Sequence, residues 1–261
     1  MTAAMQAPFD VKLMNATAAV LLTLCGALLL AAGAWWALRH PLFAIAGITV
    51  QGDVAHNNAV TLRANVAPRL AGNFFTVNLA SAREAFEAVP WVRKAVVRRE
   101  FPNRLRVQLQ EHRAVALWGS DGDARLVNSF GEVFEANAGD VEPDELPRLS
   151  GPPEQAGQVL AMYFALKPLF ASLDLGVERL ALTARGSWQV ELDTQGVVEL
   201  GHGSIEEVTA RTQRFVRTLT QVTSRYGRRP DALVSADLRH GDGYAVRLRG
   251  VGTTGADAAM R

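Results

Sequence analysis

"PWVRKAVVRREFPNRLRVQLQEHRAVALW", residues 90–118, holds seven Lys or Arg side chains in its first 24 positions. It reads either as a nucleic-acid surface or as ordinary strands with a basic outer face. Leu105, Val107 and Leu109 alternate with Arg104, Arg106, Gln108 and Gln110, which is the period of a half-buried strand. Ahead of them, Ala95 and Val97 face one way while Val96 and Arg98 face the other, and Phe101-Pro102-Asn103 supplies the turn. The pattern predicts a hairpin whose basic residues form its solvated face. No aromatic platform is interleaved with the arginines, which argues against single-stranded nucleic acid. The net charge of +1, from 27 basic and 26 acidic residues, argues against general phosphate binding. A weak electrostatic contact with lipid headgroups or an acidic partner is the other use for this face.

Upstream, "ATAAVLLTLCGALLLAAGAWWAL" at 16–38 carries no charge over 23 residues. At about 1.5 Å per residue, roughly 20 residues cross a 30 Å hydrocarbon core, so this segment is long enough to span. It exceeds the short apolar region of a signal peptide. It ends in Trp35, Trp36, Arg39 and His40, an interfacial anchor. Lys12 and Arg39 flank it, so charge leaves the orientation open. Cys25 is the single cysteine of the 261 residues, which excludes an intrachain disulfide and a multi-cysteine metal site.

Between anchor and hairpin, "LFAIAGITVQG" alternates as a strand, with Phe43, Ile45, Ile48 and Val50 apolar. Residues 59–70 form a helix after Asn57-Asn58, with Pro68 disturbing its end. "SAREAFEAV" is a second helix, opened by a Ser81/Glu84 capping box and stopped by Pro90. The order strand, helix, helix, strand, strand describes a compact module over residues 43–112. From residue 113 to 250, short strands alternate with Gly, Asp and Asn turns. One helix starts at Pro153 and runs to a break at Lys167-Pro168. Another starts at a Ser204/Glu207 capping box, presents Val208, Phe215, Leu219 and Val222 on one face, and is capped by Gly227. "VEPDELPRLSGPPE" reads as a proline-rich loop, and 251–261 as a flexible tail. The fold class expected is α+β: one N-terminal transmembrane helix, an α/β module, then a mostly antiparallel β domain with flanking helices.

Signals for catalysis are weak. The five histidines show no metal-ligand spacing, and neither a G-x-S-x-G elbow nor an S-x-x-K motif occurs. "GVGTTG" at 250–255 has glycine-loop spacing, but only six residues follow it, too few for a crossover helix. "GHGS" at 201–204 is expected to be a tight turn feeding the capping box rather than an anion cradle. Acidic pairs such as Asp121/Asp123 and Glu206/Glu207 suit solvent or a helix dipole. The chain is therefore expected to be no enzyme and to hold no cofactor and no metal. A membrane-anchored envelope enzyme is the weaker rival.

The ordered features resemble the FtsQ/DivIB family of bacterial cell-division proteins. The closest correspondence runs from Phe74 to Trp118: N-F-F-x-V-x-L, then P-W-V-x-x-A-x-V-x-R-x-x-P-N-x-L-x-V. "ARGSW" at 184–188, with Arg185 to Trp188 as its matching part, and "ADLRH", Ala236 to His240, add to it. The resemblance implies a single-pass inner-membrane scaffold with residues 1–15 in the cytoplasm. A POTRA-like module and a β domain then lie in the periplasm at the division septum. It implies FtsB and FtsL as partners, and so a part in controlling septal peptidoglycan synthesis. The implied contact is a partner strand added at the last strand region, with Asp237, Leu238, Arg239, His240, Tyr244 and Val246 as contact residues and Arg185 as a second charged one. The family has a tyrosine where this chain has His240. Trp188 is expected in the core. A POTRA-containing factor for envelope polypeptide assembly is the alternative, weakened by the single module.

Overall fold

The computed structural model describes residues 9–70, 72–120, 122, 125–141, 146–240 and 243–251. Two compact units divide at residue 111, Met1–Glu111 and His112–Arg261.

In the first unit, α1 spans Phe9–Leu38. Its Phe9–Trp36 part is the one helix among the described residues long and apolar enough to cross a membrane. The Thr17 and Thr23 hydroxyls donate back to the carbonyls of Leu13 and Ala19, at 3.1 and 2.9 Å. Both threonine hydroxyls inside the apolar stretch are thus satisfied locally, which lowers the cost of placing them in hydrocarbon. The Arg39 guanidinium lies 4.0 Å from the Trp35 ring centroid.

A small sheet follows: β1 (Gly47–Gly52), β2 (Val92–Glu100) and β3 (Arg104–Glu111), in the order β1-β3-β2. β1 runs parallel to β3 and β2 antiparallel to it. Helices α2 (Ala59–Val66) and α3 (Leu79–Glu87) contribute Leu62, Val66, Ala85 and Phe86 to a core shared with Ala95, Val107 and Leu109. The hairpin is as expected: Leu105, Val107 and Leu109 are buried, and Arg98, Arg104 and Arg106 are exposed. Arg99 is engaged differently. It donates to the carbonyls of Phe74 and Val77, at 2.7 and 2.8 Å, and holds the 72–77 loop.

Three local expectations are corrected here. The strand begins only at Gly47, because Pro41–Phe43 forms a 3-10 turn. α2 ends at Val66 and a 3-10 turn carries the chain through Pro68, since proline cannot donate to the preceding turn. Helix α3 is capped by Asn78, not by Ser81 with Glu84: the Asn78 side chain accepts from the Ala80 and Ser81 N–H groups at 2.9 and 3.3 Å. An asparagine three residues upstream places the cap before the box can form.

A polar corner closes this module. The buried Glu111 carboxylate accepts from the N–H groups of His56 and Asn57 and from the Asn57 amide, each at 3.0 Å. The His56 ring stacks on Trp91 with centroids 3.9 Å apart. Trp91 sits at φ 70, a conformation costing about 1–3 kcal/mol in a non-glycine residue; the stack and the Asn57 bond to the Pro90 carbonyl at 2.9 Å hold it there.

The second unit is a nine-stranded sheet. Its strands are β4 (Ala114–Trp118), β5 (Arg125–Asn128), β6 (Val133–Glu135), β7 (Arg148–Ser150), β8 (Val177–Leu182), β9 (Trp188–Leu192), β10 (Val197–Gly201), β11 (Leu233–Asp237) and β12 (Ala245–Leu248). The order is β12-β11-β10-β9-β8-β7-β4-β5-β6. Helices α4 (Ala156–Ala171) and α5 (Ile205–Ser224) are crossover connections. They make the β7–β8 and β10–β11 joins parallel, and β4–β7 is parallel too; the other five joins are antiparallel. A helical crossover is how two parallel neighbours are reached. α4 and α5 touch each other and pack on the sheet, burying Trp118, Trp188, Met162, Leu166, Phe170 and Phe215. On α5, Val208, Thr212, Phe215, Leu219 and Thr223 are buried at helical spacing. Val222, expected on that face, is half-buried beside it.

The Ser204/Glu207 capping box forms with both of its bonds. Three further expectations fail. The proline-rich loop contains β7, a strand too short to show a period. The Lys167-Pro168 break does not occur, and α4 continues to Ala171 with Pro168 inside it. Pro168 lies in the last turn, so its missing N–H costs the helix one bond to the preceding turn and α4 ends three residues later. Gly227 does not cap α5 directly: Arg225 is the C-cap, and Gly227, at φ 63, completes the turn after it. Most of "GVGTTG", both Asp121 and Asp123, and residues 252–261 lie outside the described residues.

Candidate functional site

β12 is one border strand of the large sheet, and among the described residues β11 is its only partner. Its register is Ala245 opposite Asp237, Val246 opposite Ala236, Arg247 opposite Ser235 and Leu248 opposite Leu233. The Arg249 N–H donates to the Ala232 carbonyl at 2.8 Å. Strand alternation then turns Arg247 and Ala245 toward β11 as well, and leaves the N–H and C=O of Val246 and the N–H of Leu248 directed off the sheet, while the Leu248 carbonyl accepts from the Val251 N–H at 3.3 Å. Such a row is a template for an added strand.

The expected contact residues gather around this edge, with different degrees of freedom. Val246 is half-buried and packs against the core, so its backbone rather than its side chain faces outward. Tyr244 is held by α5: its ring meets Phe215 edge-on at 5.0 Å and its hydroxyl lies 2.5 Å from Thr218 Oγ1. It fixes the approach to β12 instead of standing free. Leu238 is corrected as a side-chain contact, because that side chain is buried in the core and its N–H donates to the Glu199 carbonyl at 2.8 Å. His240 is exposed.

Arg239 is exposed and already paired. Its Nε and Nη2 donate to Asp237 Oδ1 and Oδ2 at 2.9 and 2.6 Å. These bonds hold the Asp237 carboxyl down to about 2 from its ordinary 3.8. The pair keeps the guanidinium in a fixed place at the end of β11. Arg185 lies in the β8–β9 turn, exposed, and its carbonyl accepts from His202 Nε2 at 2.9 Å. The turn 201–203 connects the two arginines. A methyl built on Gly201, at φ 79, would lie 3.0 Å from Arg239 Cγ and 3.1 Å from Arg211 Nη1. Thus Arg185, His202, Arg211 and Arg239 share one end of the sheet. Trp188 is buried, and its indole N–H reaches the Gly203 carbonyl at 3.4 Å.

Sequence reasoning missed Thr218, Phe215, Arg211 and Glu199 as supports of this edge. In sequence Phe215 reads only as part of an apolar helix face, and nothing local in the chain ties residue 218 to residue 244. Among the described residues, no three His, Cys, Asp or Glu side chains come together to hold a metal ion.

One apolar helix, a βααββ module and a large mixed sheet with an exposed border strand define a membrane-anchored protein of the POTRA-containing class. Comparison with known proteins narrows this. Residues 43–112 match the family described as POTRA domain, FtsQ-type, and 116–239 match Cell division protein FtsQ/DivIB, C-terminal. A Cell division protein FtsQ from Burkholderia pseudomallei is 41% identical over 243 residues, covering 93% of this chain and 94% of that protein. One from Thiomonas arsenitoxydans is 39% identical, covering 95% and 91%. One from Neisseria meningitidis is 29% identical, covering 87% and 92%. The chain belongs to the FtsQ/DivIB family of cell-division proteins.

Proposed function

We propose that the chain is a scaffold of the division machinery that binds FtsB, and with it FtsL, by accepting a partner strand at β12. In this reading it links early and late division proteins and so controls septal peptidoglycan synthesis, without catalysing a reaction itself. It crosses the inner membrane once, with its N-terminus in the cytoplasm and both modules in the periplasm at the septum; the orientation follows the family, because the flanking charges do not choose.

The observation that supports the reading is the border position of β12, with the N–H and C=O of Val246 and the N–H of Leu248 directed off the sheet. A strand laid there gains main-chain hydrogen bonds, and side chains around it select the partner. Arg239, preset by Asp237, offers the guanidinium to an acidic residue, with Arg185 as a second positive group at the same end. His240 stands in place of the family tyrosine and makes that contact smaller and more polar.

The test is Val246→Pro in the full chain, held in lipid nanodiscs and titrated with the periplasmic segment of FtsB. Proline is tolerated on a border strand where its missing N–H faces away from the sheet. The expected result is affinity about tenfold weaker or worse, roughly 1.4 kcal/mol or more, with the thermal transition lowered only by the lost packing of the half-buried Val246 side chain. Wild-type affinity in the variant would remove β12 as the docking edge.

A further inference from the structure

At the end of the first module where α1 enters, four phenylalanines form a chain of ring contacts. Phe43 meets Phe75 at 4.9 Å, Phe75 meets Phe74 at 5.2 Å, and Phe74 meets Phe101 at 6.3 Å. Phe74 is buried, but Phe75, Phe101 and the neighbouring Leu42 are 43, 79 and 73% exposed. These side chains come from three separate segments that are tied together. The Phe74 N–H donates to the Phe43 carbonyl at 2.8 Å, and the Ala46 N–H to the Asn103 carbonyl at 2.9 Å. Arg99 clamps the loop carrying Phe74 and Phe75. Single exposed apolar residues need no explanation, but a rigid cluster assembled from several segments marks an interaction surface.

The position of the cluster selects its occupant. Leu42 follows the last residue of α1 by four positions, so at about 3.5 Å per residue it lies within roughly 14 Å of the helix end. The Asn73 side chain, in the same loop as Phe75, donates to the Leu38 carbonyl. The helix end itself carries Trp35, Trp36 and Arg39, the residue types of a membrane interface. Arg104 adds a positive charge beside Gly47, and the nearest acid in the turn, Glu100, is engaged by Arg106.

We propose that Leu42, Phe75 and Phe101 form a wedge that sits in the interfacial layer of the bilayer crossed by α1, with Arg39 and Arg104 toward anionic phospholipid headgroups. The wedge gives the first module a second attachment to the lipid surface and restricts its swing about the short connector after α1. The inference goes beyond the partner edge; it rests only on α1 spanning a membrane.

The test places nitroxide labels on the full chain in vesicles of phosphatidylethanolamine and phosphatidylglycerol, and reads their access to oxygen and to a water-soluble nickel chelate. Native Cys25 reports the anchor. In a Cys25→Ser background, Phe101→Cys and, separately, Leu42→Cys report the wedge; both replace exposed side chains, and an unchanged thermal transition of each labelled chain checks that the module is folded. Asp53→Cys, exposed and just past β1, is the control, about 20 Å along the strand direction from Gly47. The expected result is labels at 101 and 42 about 5–10 Å into the interface, shielded from nickel, with the label at 53 in water. Labels at 101 and 42 as aqueous as the one at 53, with Cys25 deep in the bilayer, overturn the wedge alone. Protection that appears only when other division proteins are added also overturns it and assigns the surface to a protein. A Cys25 label in water removes the spanning helix and the wedge with it.

Discussion

β2 and β12 both border their sheets, yet their edges differ in what occupies them. β2 carries Arg93, Lys94, Arg98 and Arg99 within nine residues, and the Ala95 N–H is held by the Glu87 carboxylate of α3 at 3.1 Å. Charges and a side-chain acceptor discourage a further strand there. β12 is four residues long with Arg247 its single charge, and no such acceptor stands against the outward groups of Val246 among the described contacts. Arginine richness at residues 90–118 therefore marks a guarded border, while the plainer "AVRL" is the open one. What an edge does depends on where its hydrogen-bonding groups are directed and whether something inside the chain meets them.

The comparison breaks first at Glu111. If the first module is self-satisfied, Glu111→Ala strands the His56 and Asn57 donors and costs about 3 kcal/mol, read as an earlier urea transition of that module with the second unit's transition unmoved. Next in size is Val246→Pro, whose roughly tenfold loss is about 1.4 kcal/mol of partner affinity, with a smaller loss of stability from the half-buried side chain. The same substitution would be neutral for binding if β12 were guarded like β2. Glu87→Ala removes the acceptor from the β2 edge and the i,i+4 pair with Arg83. It costs about 1 kcal/mol of stability, and concentration-dependent association of the full chain in nanodisc-free detergent, monitored by light scattering, shows whether the freed edge recruits a strand.

The smallest effect belongs to Arg239→Ala. Asp237 titrates at about 2 in the folded chain, below its ordinary 3.8. A lowered folded-state value contributes stability that is present above about pH 3.8 and lost as pH falls through about 2. Removing Arg239 should return the Asp237 carboxyl toward 3.8, read by carboxyl NMR, and wild type and variant should converge in stability as pH falls across that window. A carboxyl that stays near 2 would show that another group holds it and that Arg239 is freer than the geometry indicates.

Periodicity was a sound guide wherever one face of an element is buried. The alternation at 105–109, the Ser204/Glu207 box and the Val208–Phe215–Leu219 stripe all appear as expected, because burial acts on each residue through its own side chain. The misses lie where neighbours decide. Asn78 displaced Ser81 as cap by standing one turn earlier. β7 has three residues and exists because β4 and β8 each offer it a ladder. Leu238 sits inside a run of exposed contact candidates but points into the core, since the strand pleat continues through it. Tyr244 was legible as an aromatic beside the edge, but not as a residue bound to Thr218 26 positions earlier.

The chain alone determined the anchor, the βααββ order, the basic face of the hairpin and the family, because uncharged length, period and motif spacing are written locally. The tertiary structure decided that β12 is a border strand with its backbone directed outward, that Asp237 presets Arg239, and that Leu42, Phe75 and Phe101 meet beside the membrane helix. Each of these joins residues far apart in sequence, and strand order and side-chain pairing across such distances are set by the packing of the whole core.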